Sequence, residues 1–384
     1  MFVLKLYHLY LIALVPGIAG LILAYFSKGK VTLREWAGGI VGAFICAGTM
    51  HGCSVLGMTS DTETWSGSVV TAVYEPWWKA RWKEDDYISV PSTDSQGHTT
   101  YRRVYVGWHY EYRTHEPEWF IKTDLDQSVS VSQAFADDLA SKFGQWLSQP
   151  WDRWHYYQGD QNKYIASNHK GWLQPVTRLM NFENRAKAAP SRFSFKKVPE
   201  GAPVFEYPEN KDIFASDRLL GTARQTIDLF EFDRMNSRLG PVKFVNVIMI
   251  GFGDQPQSVA DLQRSKWYGG KKNDLVLCYG GPDPLKPTWV SVFGWSQENI
   301  DQILLSVMAS SNMDTSILPL IEKVIYENYT MIDWDSMMRQ VDIEMPPWAW
   351  WVMILFILIS QGGYYAWTWY NEIEDEEESI CSGR

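Results

Sequence analysis

Three long stretches without a charged side chain constrain this chain more than any other feature of its sequence. The first runs from Leu6 to Ser27, the second from Trp36 to Met58, and the third follows Pro346 and Pro347. A helix needs about 20 apolar residues to cross a hydrocarbon core of roughly 30 Å. A cleaved signal peptide would have a shorter apolar region and a small-residue cleavage site, which is not evident in the first stretch. The sequence therefore predicts three transmembrane helices.

Aromatic side chains flank the third stretch on both sides of its apolar centre, Val352 to Ser360. Such rings are apolar in body and polar at one edge, so they concentrate at the two membrane surfaces. The same argument applies to the tryptophan that opens the second stretch. The predicted membrane-interface residues are Trp36, Trp348, Trp350, Trp351, Trp367, Trp369 and Tyr370.

Glycines are frequent in the second stretch, and four of them form two GxxxG pairs. Gly38 with Gly42, and Gly48 with Gly52, would give one helix face a flat stripe on which another helix packs closely. A glycine-rich loop is the alternative. If the stretch is a helix, these four glycines are predicted helix-packing residues, and the protein could be a structural membrane subunit that oligomerises through them.

Three basic residues, Lys28, Lys30 and Arg34, occupy the short segment between the first two stretches. Positive residues in short loops stay on the cytoplasmic side of a membrane. Residues 59–345 are then predicted to lie outside the cytoplasm, as an ectodomain, and the tail to lie inside it. The tail, residues 371–384, has six acidic residues against Arg384, a net charge of −5 out of −10 for the chain.

The charge balance also bears on the partners of the protein. The chain has 35 Lys and Arg against 45 Asp and Glu, and no basic patch of the kind that nucleic acid requires is evident. We therefore expect no nucleic-acid partner. The expected partners are the lipid bilayer and either a second membrane protein or another copy of the chain.

Residues 59–215 read as a β-containing half of the ectodomain that is rich in tryptophan. The runs Thr64–Tyr74, Tyr101–Arg113 and Trp119–Lys122 are β-branched and aromatic, which is typical of strands. Ten of the 20 tryptophans fall between Trp65 and Trp172. Val131–Leu147 has helical periodicity, and Pro150–Pro208 is predicted to be irregular.

Residues 216–345 read as an α/β domain. A helix is predicted over Ala223–Leu239, ended by Gly240 and Pro241, and Ser296 is predicted to cap a later helix. A strand, a helix and a second strand within about 40 residues predict a parallel crossover, followed by a hairpin to a third strand. The predicted strands are Phe244–Ile250, Leu275–Tyr279 and Trp289–Phe293, with a helix over Gln257–Trp267.

Two acidic residues follow the two parallel strands, where ligands gather in sheets of this kind. Asp254 lies in one of these loops and Asp283 in the other. Two carboxylates beside glycine-opened backbone could hold Ca²⁺ or Mg²⁺, and a bound metal could polarise a phosphate. The alternative is structural, with Asp254 capping a helix and Asp283 filling a turn. No other cofactor is expected.

Alternating polar residues in one strand suggest a second metal hypothesis. His109, Glu111, Arg113 and His115 would share one face, and two histidines with a glutamate could bind zinc. A solvated polar face explains the same pattern. No serine-hydrolase or zinc-protease motif is present, so we assign no catalytic residue.

The segments VNVIMIGFGD, WYGGKKNDLVL and WVSVFGWS, within Val242 to Trp295, resemble the TPM domain, an α/β fold usually anchored to a membrane and facing away from the cytoplasm. The resemblance covers about a quarter of the chain. It implies a role in assembly or repair of membrane complexes, or a metal-dependent phosphatase whose acidic site would correspond to Asp254 and Asp283.

The wider arrangement resembles membrane proteins of large tailed bacteriophages: two N-terminal spans, residues 59–67 entering a strand, the α/β segment and a final span. That resemblance implies a place in the bacterial inner membrane. We therefore expect a membrane-anchored α+β protein of five parts, with spans in 1–58 and 346–370. The favoured function is non-enzymatic binding or complex assembly, and the alternatives are the phosphatase and the oligomerising subunit.

Overall fold

The structure is a computed structural model that describes residues 8–26, 31–93, 99–210, 212–214, 217–297 and 300–371. Helices contain 40% of the residues and strands contain 31%, which confirms the predicted mixed α+β class. The acidic tail beyond Asn371 and the predicted loop lysines 28 and 30 lie outside the described residues.

Two helices come first in the chain, followed by a region made mainly of strands, a region that mixes helices and strands, and a final helix. The helices are α1 (His8–Phe26), α2 (Leu33–Thr59), α3 (Gln133–Phe143), α4 (Ala223–Thr226), α5 (Leu229–Lys243), α6 (Ser258–Lys266), α7 (Ile300–Ser310), α8 (Leu318–Asn328), α9 (Trp334–Arg339) and α10 (Pro347–Asn371). The strands are β1 (Ser60–Glu75), β2 (Trp78–Thr93), β3 (Thr99–His115), β4 (Glu118–Thr123), β5 (Ser128–Ser130), β6 (Leu147–Pro150), β7 (Tyr156–Gly159), β8 (Asn162–Ser167), β9 (Pro175–Glu183), β10 (Leu219–Gly221), β11 (Asn246–Gly251), β12 (Asp274–Gly280), β13 (Trp289–Gly294), β14 (Ser296–Gln297) and β15 (Thr330–Met331).

Helices α1, α2 and α10 are each long and apolar enough to cross a membrane. They pack together around small and aliphatic side chains, among them Ala13, Ala43 and Ile357. A capping box formed by Thr32 and Glu35 starts α2, because each side chain accepts the backbone N–H of the other residue. Helix α2 ends at Thr59, and β1 begins at the next residue. The central strand of the globular region is therefore a direct continuation of an apolar helix.

Strand β1 is the centre of the first half of the globular region. Its first nine residues pair with β9, and its later residues pair with β4 on one edge and β8 on the other. The sheet order is β5-β4-β1-β8-β6, and α3 packs on the sheet through Leu139 and Phe143. The prediction that Pro150–Pro208 is irregular was wrong, because β7, β8 and β9 lie in it. These short strands are stabilised by pairing with distant strands, which the local sequence does not encode.

Strands β2 and β3 form a long hairpin that continues from the far end of β1. They pair along their whole length, from Trp78 with His115 to Thr93 with Thr99. Strand β7 pairs with β2 only at residues 78–80. A β-bulge opposite Asp86 and Tyr87 includes Gly107, whose positive φ favours glycine. We call residues 78–115 the arm.

The α/β domain has the predicted connections. Strands β10, β11 and β12 are parallel and β13 is antiparallel, in the order β10-β11-β12-β13. Buried apolar residues cover both faces of this sheet, as expected for a parallel sheet. The predicted crossover and hairpin are therefore confirmed.

Two predicted helix boundaries were wrong. The Ala223–Leu239 helix is broken, since Asp228 caps a new helix, α5, by accepting the Glu231 N–H. Helix α5 runs through Gly240 and Pro241 to Lys243. A Cβ at Gly240 would overlap the Ser66 carbonyl, so this glycine serves close packing against β1 rather than helix termination. Ser296 lies in β14 and pairs with Met331, and does not cap α7.

The two halves of the globular region meet through buried charges near the start of β1. Asp61 forms an ion pair with Lys271, and the buried Glu63 forms one with Lys272 at 3.1 Å. Asn273 also donates to the Thr64 carbonyl at 2.8 Å. The segment before the expected domain boundary at 215 contacts α6 as well, because Trp267 donates to the Phe205 carbonyl.

Candidate functional site

The arm exposes a series of large apolar and aromatic side chains on a two-stranded ribbon. Within the described residues its strands pair only with each other and with β7. Isolated hairpins are marginally stable in water, and contiguous apolar surface usually marks an interaction site. The exposed large side chains are Tyr87, Ile88, Val90, Tyr101, Val104, Tyr105, Val106, Trp108, Tyr110 and Tyr112.

One face of the arm carries cations stacked over aromatic rings, and we call it the cationic face. Lys79 lies 4.8 Å from the ring centre of Tyr112, and Lys83 lies 4.0 Å from that of Trp108. Arg81 lies between two rings, 4.6 Å from Tyr110 and 4.2 Å from Tyr157 of β7. Further along the arm, Arg103 lies over Tyr87 at 5.0 Å. Each exposed cation–π contact contributes about 0.5–1 kcal/mol, so these contacts together also stabilise the arm.

The sequence prediction missed this face because β2 was not recognised as a strand. Residues 79, 81 and 83 alternate with Ala80 and Trp82, and alternate residues of a strand share one face. Read as a strand, the run K-A-R-W-K predicts a row of three cations. The charge balance of the sequence indicates no basic patch, but the fold collects these cations on one face of the arm.

The opposite face of the arm brings together some of the polar residues predicted from the alternation. The His109 ring forms hydrogen bonds of 2.8 Å to Asp86 and to Glu111. One potential ligand atom from each of Glu84, His109 and Glu111 lies within 4.8 Å of the other two. That spacing would allow one nitrogen and two oxygen atoms to bind the same metal ion. The two hydrogen bonds raise the pKa of His109, which favours the protonated ring over a metal ligand.

His115, the other histidine of that hypothesis, lies elsewhere on the same face. Its ring stacks on Trp78 at 4.0 Å, at the base of the arm. Burial, with the charges of Arg113 and Arg153, lowers the pKa of His115. The structure therefore separates the two histidines, and zinc bound by both of them with Glu111 is not supported.

Asp254 and Asp283 lie in adjacent loops at the carboxyl edge of the parallel sheet, where the sequence predicted them. The Gly281 N–H donates to the Gly253 carbonyl at 2.7 Å, which joins the loops. Both aspartates are exposed, and Asp283 accepts the Leu285 N–H at 2.9 Å within a turn. Among the described residues, neither belongs to a group of three potential metal ligands. The metal hypothesis at this edge stays a prediction, with the two carboxylates as its proposed ligands.

The predicted helix-packing glycines differ in what they face. A Cβ at Gly38 would lie 2.9 Å from the Tyr364 hydroxyl of α10, and one at Gly42 would lie 3.4 Å from the Gln361 amide. Among the described residues, a Cβ at Gly48 would approach only the Tyr10 hydroxyl, at 3.9 Å, and a Cβ at Gly52 would have nothing within 4 Å. The closest approaches were not predicted: a Cβ at Gly20 or at Gly39 would overlap the Tyr365 ring.

The predicted interface aromatics also separate into two groups. Trp36 donates to the Gly17 carbonyl of α1 at 2.8 Å, and Trp350 is buried in the helix bundle. These two rings therefore contribute to helix packing. The exposed members are Trp348 and Trp351 near the start of α10, and Trp367, Trp369 and Tyr370 near its end.

Comparison with known proteins gives no further assignment. No family model, no curated protein and no solved structure matches the chain. The geometry of the arm and the three apolar helices are therefore the basis for assigning a function.

Proposed function

We propose that the protein is a membrane-anchored, non-enzymatic binding or assembly protein that presents its arm to a partner. The cationic face of the arm carries this proposal. It combines lysine, arginine and exposed aromatic rings, and arginine with tyrosine and tryptophan is the composition of binding hot spots. The three apolar helices supply the anchor.

The proposed partner presents an acidic surface to the cationic face. The cationic face has a positive potential, since it carries Lys79, Arg81, Lys83 and Arg103. Asp85 is the acidic residue on the same face. A charged protein surface is favoured over nucleic acid, because the chain as a whole has a net charge of −10 and repels a long polyanion. Opposite charge at the contact speeds encounter and fixes the orientation of the complex.

The orientation inferred from the basic loop and the resemblance to TPM domains belong to the same proposal. We infer an ectodomain, residues 59–345, outside the cytoplasm, with a TPM-like α/β domain over residues 216–345. A parallel crossover followed by an antiparallel third strand occurs in many α/β domains, so the TPM-like assignment rests on the sequence resemblance. An origin in a tailed bacteriophage would put the anchor in the bacterial inner membrane.

A photo-crosslinking residue at position 110 tests the proposal in the membranes of cells that make the protein. Tyr110→p-benzoylphenylalanine is expected to give one dominant crosslinked product. The double variant Lys79→Glu, Lys83→Glu should reduce that product severalfold, because it reverses two charges of the face. The matched control, Lys286→Glu with Lys323→Glu, changes two exposed lysines outside the arm and should leave the product unchanged.

The crosslinked mass identifies the partner as another copy of the chain or a different protein. No product at position 110, or a product equally strong in the arm and control variants, would contradict the proposal.

A further inference from the structure

A second feature of the arm is a cavity at its base, on the face opposite the cationic face. Its volume is about 590 Å³, which lies within the range for small-molecule sites. Four tryptophans line it, together with two arginines, a histidine, an alanine and an aspartate. They are Trp78, Ala80, Trp82, Arg113, His115, Trp151, Asp152, Arg153 and Trp154.

Arg153 is the polar group that distinguishes this cavity. Its side chain is buried, with 5% of the residue exposed, and its guanidinium lies 4.8 Å from the Trp78 ring and 4.7 Å from the Trp151 ring. Nη2 donates to the Asn162 carbonyl at 3.1 Å, whereas Nε and Nη1, which solvent does not reach, have no hydrogen-bond partner among the described residues. A buried cation with unused donors is costly unless an anion completes its hydrogen bonds.

The surrounding charges do not complete those bonds. Glu75 and Asp160 act on Arg153 at longer range, and the described residues include no carboxylate within ion-pair distance of it. Burial lowers the pKa of Arg153, but arginine stays protonated in proteins. Asp152 is exposed at the cavity, while Arg113 and His115 add positive charge or donors to its wall.

We propose that this cavity binds a small ligand in which a ring carries an anionic group, such as a phosphate. Arg153 and Arg113 bind the anion, because guanidinium groups match phosphate and carboxylate geometry. The exposed Trp154, with Trp82 beside it, supplies the surface on which the ring packs. Trp78 is not available for stacking, since His115 and Arg153 cover it. An anion alone would leave the aromatic wall uncovered, and a cationic ligand is disfavoured because Arg153 already occupies the space between Trp78 and Trp151.

The residues that line the cavity come from two different segments of the chain. Trp78, Ala80 and Trp82 belong to β2, whereas Trp151 to Trp154 belong to the segment between β6 and β7. Trp82 and Trp154 face each other with ring centres 5.6 Å apart. A ligand between these segments would join the arm to the sheet below it. This site is separate from the cationic face, so its failure would leave the proposed function untouched.

Tryptophan fluorescence or calorimetry of the full-length protein in detergent tests the site with four probes: glucose 6-phosphate, uridine monophosphate, glucose and inorganic phosphate. At least one ring phosphate should bind with a Kd below about 1 mM, and about tenfold more tightly than both glucose and inorganic phosphate. A sugar and a nucleotide are both included because the stacking surface accepts either ring.

Two variants connect the binding to the cavity. Arg153→Gln should weaken ring-phosphate binding about tenfold or more, because a charge-assisted hydrogen bond is lost. Trp154→Ala removes an exposed ring, so it spares the fold and should weaken ring-phosphate binding while leaving that of inorganic phosphate unchanged. Arg192→Gln, at an exposed arginine outside both the arm and the cavity lining, is the matched control and should bind as the unmodified protein does.

Three outcomes would overturn the proposal. They are no ring phosphate binding below about 1 mM, inorganic phosphate binding as tightly as the ring phosphates, and an Arg153→Gln protein that is folded, as judged by circular dichroism, and retains full affinity. If Arg153→Gln fails to fold, the Trp154→Ala result decides.

Discussion

The His109 ring has two acidic neighbours on the exposed arm, and that arrangement makes its protonation state depend on the arm being folded. Hydrogen bonds to Glu111 and Asp86 raise its pKa above the value of about 6.5 expected for an unfolded chain. A raised histidine pKa means that the folded arm binds the proton more tightly than the unfolded arm. The stabilisation is therefore complete below the unfolded pKa and is lost as the pH rises through the folded one.

We predict that the pKa of His109 lies above the reference histidine value. Glu111→Gln should lower this pKa, because the hydrogen bond to Glu111 contributes most to it and glutamine carries no negative charge. Two-dimensional NMR of the protein labelled at histidine Cε1 measures this, with His109→Gln to assign the signal. Thr100→Ala, near the tip of the arm, is the control and should leave the titration unchanged. A pKa at or below 6.5, the reference value, would show that the two carboxylates do not hold the ring.

At the scale of the elements, the three apolar helices are joined by one aromatic side chain. Tyr365 of α10 is buried between Gly20 of α1 and Gly39 of α2, and a side chain at either glycine would overlap its ring. Without a hydrophobic drive between helices in lipid, such close approach is the main source of packing energy. The helix bundle should therefore tolerate change at Gly52, which has no close neighbour, and not at Gly39.

The substitution Gly39→Leu is predicted to destabilise the bundle by about 1–3 kcal/mol, the usual cost of overpacking. The matched substitution Gly52→Leu, in the same helix, should change stability by less than about 0.5 kcal/mol. Unfolding midpoints in detergent measure both. Equal effects of the two substitutions would contradict the packing around Tyr365. A change in particle size with Gly52→Leu would support the alternative in which α2 drives oligomerisation.

The sequence predicts the elements whose signal is local, and misses those that depend on a distant partner. Uncharged length identified α1, α2 and α10, and a buried apolar run identified β11 and β12 with their parallel connection. Strand β2 escaped because Lys79 to Asp86 is mostly charged, and only pairing with β3 makes it a strand. Arg153 could not be recognised as a site residue, because only Trp151 is close to it in sequence, and Trp78 reaches it only when β2 is folded.

For the whole molecule, one continuous path joins the membrane helices to the candidate binding surfaces. Helix α2 passes into β1 without a linker, and β1 passes into β2 through only Pro76 and Trp77. Sixteen residues of β1 at about 3.3 Å each hold the base of the arm roughly 50 Å along the strand from the end of α2. Partly buried ion pairs of Asp61 and Glu63 attach the α/β domain to the start of that strand. This arrangement is the one expected of a membrane anchor that presents a binding surface at a distance from its apolar helices.

Such an arm is useful only on the side of the membrane where its partner lies, so orientation is the decisive property at this scale. Positive residues before α2 predict that residues 59–345 lie outside the cytoplasm. A cysteine at the arm, Ser92→Cys, should therefore react with a membrane-impermeant maleimide in intact spheroplasts. The chain's own Cys381, in the acidic tail, should react only after permeabilisation and serves as the internal control. Of the other cysteines, Cys278 is buried, and Cys46 and Cys53, which lie in the apolar helix α2, are replaced by alanine in the labelled protein. The reverse labelling pattern would put the arm in the cytoplasm and would require its partner to be sought there.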